Sequence, residues 1–229
     1  MKTTTQFNRQ VGALTMLSAI LAFASMLVGT LAVEFDFDTF ADPSSMLRFS
    51  HNHALVKGSM LLDMFGYYLL LTPVAFYLHG YLSRKTLWAN TLTFCGLSYI
   101  LIGSIGAAIL ASVWPQQMQA YLTANVAQQA MLQADASNIA AIVYGGMWNI
   151  LETFLCGVWW VGLGVALRTE LKSPGNVSIA LGVACLLDSV GNMAGLKMLA
   201  EIGLNIYLLL AIVWAMWVGI LIYKQKITA

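Results

Sequence analysis

Charged residues are scarce in this chain: Asp, Glu, Lys and Arg together make up 9% of its 229 residues. Soluble domains carry roughly 25% charged residues, so the composition excludes an ordinary soluble domain. Hydrophobic residues make up 59% of the chain, and the mean hydropathy is +0.76. Several apolar runs are about 20 residues long, the length with which a helix crosses a bilayer. The sequence therefore predicts an integral membrane protein whose first partner is lipid.

The chain also lacks a charge excess, a cysteine framework and the common catalytic motifs. Its formal net charge is +1, which gives no indication of nucleic acid or of a strongly acidic partner. Cys95, Cys156 and Cys185 all lie within apolar runs, which indicates buried thiols rather than disulfides or a zinc site. No nucleophile elbow, Walker loop, HExxH motif or dinucleotide fingerprint occurs, and this disfavours an enzyme.

The apolar runs predict one domain over residues 1–229 with six membrane-spanning helices. The first run follows Lys2 and Arg9 as in a secretory signal, but it is longer than the roughly 7–15 apolar residues of a signal. Helices are expected because a barrel would need alternating strands of about ten residues. Asp188, Asn192 and Lys197 interrupt the fifth span. The predicted spans are residues 11–33, 56–80, 87–114, 139–167, 177–197 and 204–223. We therefore predict an all-α, six-helix integral membrane bundle.

Basic residues indicate the orientation of this bundle. Loops that retain Lys and Arg face the cytoplasm, and the bias here predicts that both termini are cytoplasmic. The expected inner face carries Lys2, Arg9, Arg84, Lys85, Arg168, Lys172, Lys224 and Lys226, against Arg48, Lys57 and Lys197 on the outer face.

The connection between the third and fourth spans, Pro115 to Asn138, is expected to be helical. Apolar residues recur in it at near-helical spacing, which predicts an amphipathic helix lying against the outer surface. Packing as a lid over the bundle is the alternative. The recurring residues are Met118, Tyr121, Leu122, Val126 and Leu132.

Three acidic residues lie within predicted spans: Asp63, Glu152 and Asp188. Ionisable groups are costly in a membrane and normally face the bundle interior, where they serve function. At α-helical spacing each has a polar neighbour on its own face. A protonated Glu152 that bonds Asn149 or a tyrosine would be a structural alternative. The predicted ligand-binding residues are Asp63, Tyr67, Asn149, Glu152, Asp188 and Asn192.

The other two carboxyls also have structural alternatives. Asp63 could pair with Lys57 or Lys197 near the outer interface, as a tie between helices. Asp188 could form a hydrogen-bonded clasp with Asn192, four residues further along the same helix. If the three carboxyls line one water-reachable pocket, a functional site is favoured. If they lie on separate interfaces between helices, a structural role is favoured.

The stretch HNHALVKG, which begins at His51, resembles the opening of a helix in some haem-bearing relatives of terminal oxidase subunits. That resemblance implies haem ligation by His51 and His53. The third histidine, His79, is about 39 Å further along the same helix, so it is too distant to act as a second axial ligand. A divalent ion held by His51, His53 and a carboxylate such as Asp63 or Asp42 is the other option. The default expectation is an interfacial histidine pair without a cofactor.

The C-terminal half contains MWNILETFLCGVWWVGLGVALRTELKSPGNVSIALGVACLLDSVG and, further on, LLLAIVWAMWVGILIYK. These stretches resemble uncharacterised six-helix bacterial integral membrane proteins known only as a domain of unknown function. The resemblance implies a six-helix bundle in a bacterial inner membrane and brings no activity with it. The matching positions are Trp160, Gly164, Arg168, Gly182, Trp214 and Gly219.

Three functions follow from these residues. The first is a small polytopic membrane protein with an outward-facing polar intramembrane site, which binds or translocates a small cation or polar solute. The second is a non-catalytic subunit or assembly factor of a larger membrane complex. The third is haem or metal binding at His51 and His53. The protein partner could be a second copy of the chain or a larger membrane complex.

Overall fold

The computed structural model describes residues 2–228, except the side chains of residues 2–4, 40, 41 and 44. Every regular element in that part is helical. Six helical rods in it are long and apolar enough to cross a membrane, as the sequence predicted. The predicted domain also includes Met1 and Ala229, and the predicted inner face includes the side chain of Lys2; all three lie outside the described part.

The first two spans are joined by short helices. Helix α1 is Lys2–Ala32, and it is followed by α2, Asp38–Ala41, and by a 3₁₀-helix, Pro43–Asn52. The second span contains an interruption in its helical geometry. Its parts are α3 (His53–Asp63), a π-helical segment (Met64–Tyr68), a 3₁₀ turn (Leu69–Leu71) and α4 (Thr72–Ser83).

The remaining spans are longer than the apolar runs that predicted them, because polar residues at their ends continue the helices. The fourth span also contains a π-helical segment. The elements are α5 (Ala89–Thr123), α6 (Val126–Ala140), the π-helical segment Ala141–Glu152, α7 (Thr153–Arg168), α8 (Lys172–Met193) and α9 (Lys197–Tyr223). The fifth helix ends at Met193, before the predicted residue 197, because Gly195 turns the chain with φ of +71°.

The segment after Pro115 is divided between α5 and α6, which continue the third and fourth spans. They are separated at Asn125, which caps the start of α6. The backbone N–H of Gln128 donates to the Asn125 side chain, and the backbone N–H of Asn125 donates to the Gln128 side chain. The expected apolar positions do not share one buried face: Leu122 is 55% exposed and Val126 84%. The position of this segment relative to the membrane surface stays a prediction.

Glycines let the C-terminal helices approach one another closely. A Cβ added to Gly164 of α7 would lie 2.7 Å from the backbone oxygen of Gly175 in α8. A Cβ added to Gly203 of α9 would lie 2.5 Å from the backbone nitrogen of Asp188 in α8. Small residues at such crossings are the usual basis of helix packing in membranes, where lipid removes the hydrophobic driving force. These crossings fix α7, α8 and α9 around the interior carboxyls.

The centre of the bundle is aromatic. Trp159, Trp160 and Trp214 are fully buried, with ring centroids 5.4–5.8 Å apart. The ring of Tyr99 lies 5.2 Å from Trp160, and that of Tyr207 lies 6.0 Å from it. Aromatic side chains bury a large apolar area and pack with defined ring geometry, so this layer gives the interior a rigid centre.

Candidate functional site

Glu152 is 1% exposed and receives a hydrogen bond at each carboxyl oxygen. The hydroxyl of Tyr68 donates to Oε2 and that of Tyr207 donates to Oε1, each over 3.2 Å. Tyr68 belongs to the second span and Tyr207 to α9. The Glu152 site, defined as Glu152 with these two tyrosines, therefore joins three spans.

The two π-helical segments end at two members of this site. Tyr68 is the last residue of Met64–Tyr68, and Glu152 is the last residue of Ala141–Glu152. At Tyr68 the backbone leaves helical geometry, with φ of −128° and ψ of −81°. π-Helical hydrogen bonds join residues i and i+5, and such segments occur frequently at functional sites. The wider turns rotate Tyr68 and Glu152 away from the faces that a regular α-helix would give them.

Asn149, which the sequence placed beside Glu152, is not one of its hydrogen-bond partners in the described part of the chain. Its side chain is half-buried, and its backbone oxygen accepts a hydrogen bond from Thr153 Oγ1 over 2.9 Å. The prediction used α-helical phase, and the residues from Ala141 to Glu152 are π-helical. The local periodicity therefore differs from the one assumed.

Tyr67 anchors the second span to its neighbours. Its hydroxyl donates to the backbone oxygen of Leu208 in α9 over 3.1 Å. Its own backbone oxygen accepts a hydrogen bond from the hydroxyl of Tyr99 in α5, at 2.5 Å. These hydrogen bonds join the helices that carry the Glu152 site, and the predicted role of Tyr67 as a ligand-binding residue beside Asp63 stays a prediction.

Asp63 lies one residue before the first π-helical segment and is half-buried. Its Oδ2 is buried and has no hydrogen-bond partner in the described part. Neither Lys57 nor Lys197 forms a salt bridge with it there, so the expected structural tie is not formed. Asp63 directly precedes the π-helical segment that ends at Tyr68, whose hydroxyl donates to Glu152.

Asp188 is 1% exposed, and its contacts are mostly local. Asn192 Nδ2 donates to Asp188 Oδ1 over 2.7 Å and to its backbone oxygen over 2.9 Å. The predicted clasp within α8 is therefore present. The second oxygen, Oδ2, is buried without a partner in the described residues. The next residue, Ser189, donates to the backbone oxygen of Ile150 over 2.8 Å and so joins this part of α8 to the segment that carries Glu152.

No protein cation compensates these three carboxyls in the part that the structure describes. Every described Lys and Arg side chain belongs to an exposed residue. The ion pairs found there join Lys85 to Glu170 and His51 to Glu34, both near the ends of the bundle. A buried carboxylate without a partner is costly, so the charge state of the interior depends on protons or on a bound cation.

His51 and His53 have separate partners. His51 Nε2 lies 2.5 Å from Glu34 Oε1, and His53 Nδ1 lies 3.1 Å from Gln119 Nε2. Among residues 2–228 no group of three or more His, Cys, Asp or Glu is placed to hold a metal ion. Haem or a divalent metal at these histidines stays a prediction that their geometry does not support.

Two cavities in the described part of the chain are not lined by any of the three carboxyls, so the expected water-reachable pocket that they share stays a prediction. A cavity of about 560 Å³ lies between α3 and α5, and its lining includes none of Asp63, Glu152 and Asp188. A second cavity, of about 10 Å³ beside Gly66, does not include them either. Glu152 and Asp188 are each 1% exposed and line neither of these two cavities.

Comparisons with protein-family models, with curated proteins and with solved structures gave no match for this chain. The resemblance of the C-terminal half to uncharacterised six-helix bacterial membrane proteins stays a prediction. The function must therefore be argued from the Glu152 site itself.

Tyr68 and Tyr207 are the site residues that the sequence did not single out. Both lie in apolar runs, where tyrosine is common as a core aromatic residue. The sequence contained one signal: a tyrosine hydroxyl was one of the expected partners of a protonated Glu152. The sequence could not indicate which tyrosine, because Tyr68 and Tyr207 are 84 and 55 residues from Glu152 in the chain. They contact it only because separate spans pack together.

Proposed function

We propose that this chain is a small membrane carrier that takes up and releases a proton at Glu152 while it moves a small cation or polar solute across the bilayer. The observation that carries the proposal is the Glu152 site. Its carboxyl is buried, has two phenol donors and has no compensating Lys or Arg in the described part of the chain.

A proton is the ligand that fits this site best. An ion pair would need a Lys or Arg beside Glu152 and a metal ion would need a group of ligands, and the described residues supply neither there. A proton needs no added volume and removes the cost of a buried charge. A protonated carboxyl keeps acceptor capacity for the phenols and has one O–H to donate. Both charge states can therefore be hydrogen-bonded in place.

Asp63 and Asp188 extend this site. Asp63 directly precedes the segment that carries Tyr68, and Ser189, next to Asp188, donates to the backbone oxygen of Ile150. Each of the two carboxyls has one buried oxygen without a partner in the described residues. Neighbouring carboxyls in such surroundings do not readily ionise together, since like charges repel. Series of acidic side chains inside membrane helices are a known means of relaying protons. The three carboxyls together supply stations at which one negative charge can be exchanged for another.

The orientation predicted from Lys and Arg is part of the proposal: both termini are cytoplasmic, in a bacterial inner membrane. A Cys substituted at Gln128 should react with a membrane-impermeant maleimide added to intact cells. A Cys substituted at Ser173 should react only after the cells are opened. The reverse pattern would contradict the orientation.

The function is tested with purified protein in proteoliposomes that contain a pH-sensitive dye. A potassium diffusion potential, negative inside, should drive proton uptake through the wild-type chain. Glu152→Gln should abolish this uptake, because its amide cannot take up or release a proton near neutral pH. Glu170→Gln, which changes an exposed glutamate outside the spans, is the matched control and should retain it.

Infrared difference spectroscopy gives a second readout that does not depend on transport. The wild-type protein should show the carbonyl band of a protonated carboxyl, and Glu152→Gln should lose part of that band while Glu170→Gln keeps it. Equal proton uptake and equal spectra in wild type and Glu152→Gln would overturn the proposal.

A further inference from the structure

A groove between α3 and α5 lies apart from the Glu152 site. It is the cavity of about 560 Å³, and none of the three interior carboxyls lines it. The α3 wall presents His53, Lys57 and Leu61, and Met64, the first residue of the π-helical segment, continues it at helical spacing on the same face. From His53 to Met64 this wall is about 16 Å long, at 1.5 Å per residue.

One end of the groove is polar. His53 and Lys57 on α3 face Gln116 and Gln119 on α5, and Gln119 Nε2 lies 3.1 Å from His53 Nδ1. Lys57 is exposed and forms no salt bridge among the described residues. Its ammonium group is therefore an uncompensated positive charge at the mouth of the groove.

The other end is apolar. Leu61 and Met64 continue the α3 wall, and Ala108 and Ala111 form the facing part of α5. The small alanine side chains leave the space between the helices open. The flexible Met64 side chain can adapt to an irregular hydrocarbon. This end lies deeper within the spans, where it would contact acyl chains of the bilayer.

We infer that this groove binds one anionic phospholipid, with its phosphate at Lys57 and one acyl chain along Leu61 and Met64. The charge at the mouth selects a negative headgroup, and the lysine stem can lie along apolar surface while its amine reaches the phosphate. A soluble anion would leave the apolar half uncovered, and a zwitterionic phospholipid would bring its own ammonium group next to the positive charge of Lys57. The anionic lipid satisfies both ends.

The test is the thermal stability of the delipidated protein in detergent. Phosphatidylglycerol should raise Tm in a concentration-dependent way, because a ligand that binds only the folded state stabilises it. Phosphatidylcholine at the same concentrations should raise Tm less, and inorganic phosphate should not raise it. A response to phosphate alone would show a simple anion site and overturn the inference.

Two pairs of variants address the two ends of the groove. Lys57→Met should weaken the apparent affinity for phosphatidylglycerol about fivefold, the effect of one basic residue at an anionic lipid surface. Lys197→Met, an exposed lysine outside the groove, should leave that affinity unchanged. Ala108→Phe should fill the apolar end and reduce the response, whereas Ile105→Phe, one turn away and not in the lining, should not.

Native mass spectrometry adds a direct count. Wild-type protein extracted in mild detergent should retain one anionic phospholipid, and Ala108→Phe should retain less. Equal binding of phosphatidylcholine and phosphatidylglycerol, or equal affinity in wild type and Lys57→Met, would overturn the inference. Because none of these substitutions touches the Glu152 site, failure here leaves the proton-transfer proposal standing, and the converse also holds.

Discussion

Glu152 and Asp188 are equally buried, each at 1% exposure, but their surroundings are built in different ways. Asp188 is bonded mainly by its own helix, through Asn192 one turn further along. Glu152 is bonded by Tyr68 and Tyr207, which are 84 and 55 residues away in the chain. The local clasp forms whenever α8 forms, whereas the Glu152 site exists only when three spans are packed together.

This difference gives the two carboxyls different places in the proposed function. A clasp within one helical turn can hold Asp188 without any change elsewhere in the protein. In the proposed carrier, protonation of Glu152 is coupled to the relative positions of the second span, the fourth span and α9, which supply the hydrogen-bonded groups of its site. A carrier needs that coupling, because a proton taken up at one site must favour one arrangement of the helices over another.

The largest expected effect comes from separating α9 from α8, since α9 carries Tyr207 and contacts Asp188. In Gly203→Ala the added Cβ would lie 2.5 Å from the Asp188 backbone nitrogen, so the helices must move apart. We expect a loss of about 1–3 kcal/mol of stability, as for other overpacked interiors. The measurement is the melting temperature in detergent.

Gly58→Ala is the matched control for this substitution. Its added Cβ would meet only the Val28 side chain, at 4.0 Å. Alanine is the better helix former, so the stability of this variant should be unchanged or slightly higher. Equal melting temperatures for Gly203→Ala and wild type would show that the close crossing of α8 and α9 is not needed.

The next effect concerns the phenol donors. Tyr68→Phe or Tyr207→Phe removes one hydrogen bond to Glu152 and should cost about 1 kcal/mol each. Both should also slow proton uptake in proteoliposomes, since Glu152 loses a bond that holds it in place. Tyr144→Phe, whose hydroxyl makes none of the hydrogen bonds found in the described residues, should behave as wild type. If all three variants matched the wild type in stability and in proton uptake, the two hydrogen bonds to Glu152 would have no part in the proposed function.

Neutral substitutions of Glu152 and Asp188 test whether the two carboxyls have different roles. Glu152→Gln and Asp188→Asn should each preserve or raise the melting temperature, because an amide of similar shape replaces a buried acid that has no cation partner. Only Glu152→Gln should abolish proton uptake, and Asp188→Asn should reduce it in part. A large loss of stability in both variants would identify the carboxyls as scaffold.

The smallest effect lies at the bundle end, on Glu170 between the fourth and fifth spans. Hydrogen bonds donated by Lys85 and then by Tyr81 hold the pKa of its carboxyl below the ordinary glutamate value. A lowered folded-state pKa means that the contact stabilises the fold above the unfolded pKa. That contribution is lost as the pH falls through the folded pKa.

Lys85→Met removes the first of these donors, so its melting temperature should depend less on pH across the acidic range than that of wild type. Because Glu170 is exposed, the difference should be small and should shrink further in high salt. Lys172→Met, an exposed lysine that forms no salt bridge in the described residues, is the control and should retain the wild-type pH dependence. An unchanged profile in Lys85→Met would contradict the assignment.

Much of the fold could be predicted from the sequence, because the length and hydropathy of each span are local properties. The six apolar runs predicted six helical rods, and only their ends differed. Gly195 turned the chain so that the fifth helix ended at Met193, before the predicted end, and α5 and α6 extended beyond the apolar core. The resemblance, the orientation and the membrane in which the chain resides stay predictions.

The candidate site could be predicted only in part. Glu152 and Asp188 stood out because acids are rare in apolar runs, and Asn192 followed from α-helical phase. Asn149 followed from the same phase, but the π-helical geometry before Glu152 removed that relation. The partners of Glu152 could not be found in this way, because no periodicity links Tyr68 or Tyr207 to it.

The sequence by itself determined which parts of the chain enter the membrane and which acids enter with them, since both depend on transfer from water to hydrocarbon residue by residue. The tertiary structure decided what those acids contact. The glycine crossings set how closely α7, α8 and α9 approach, and the packing of the second and fourth spans brings Tyr68, at the end of one π-helical segment, into hydrogen-bond contact with Glu152, at the end of the other. Contacts between distant spans depend on packing in three dimensions, and one-dimensional patterns do not specify it.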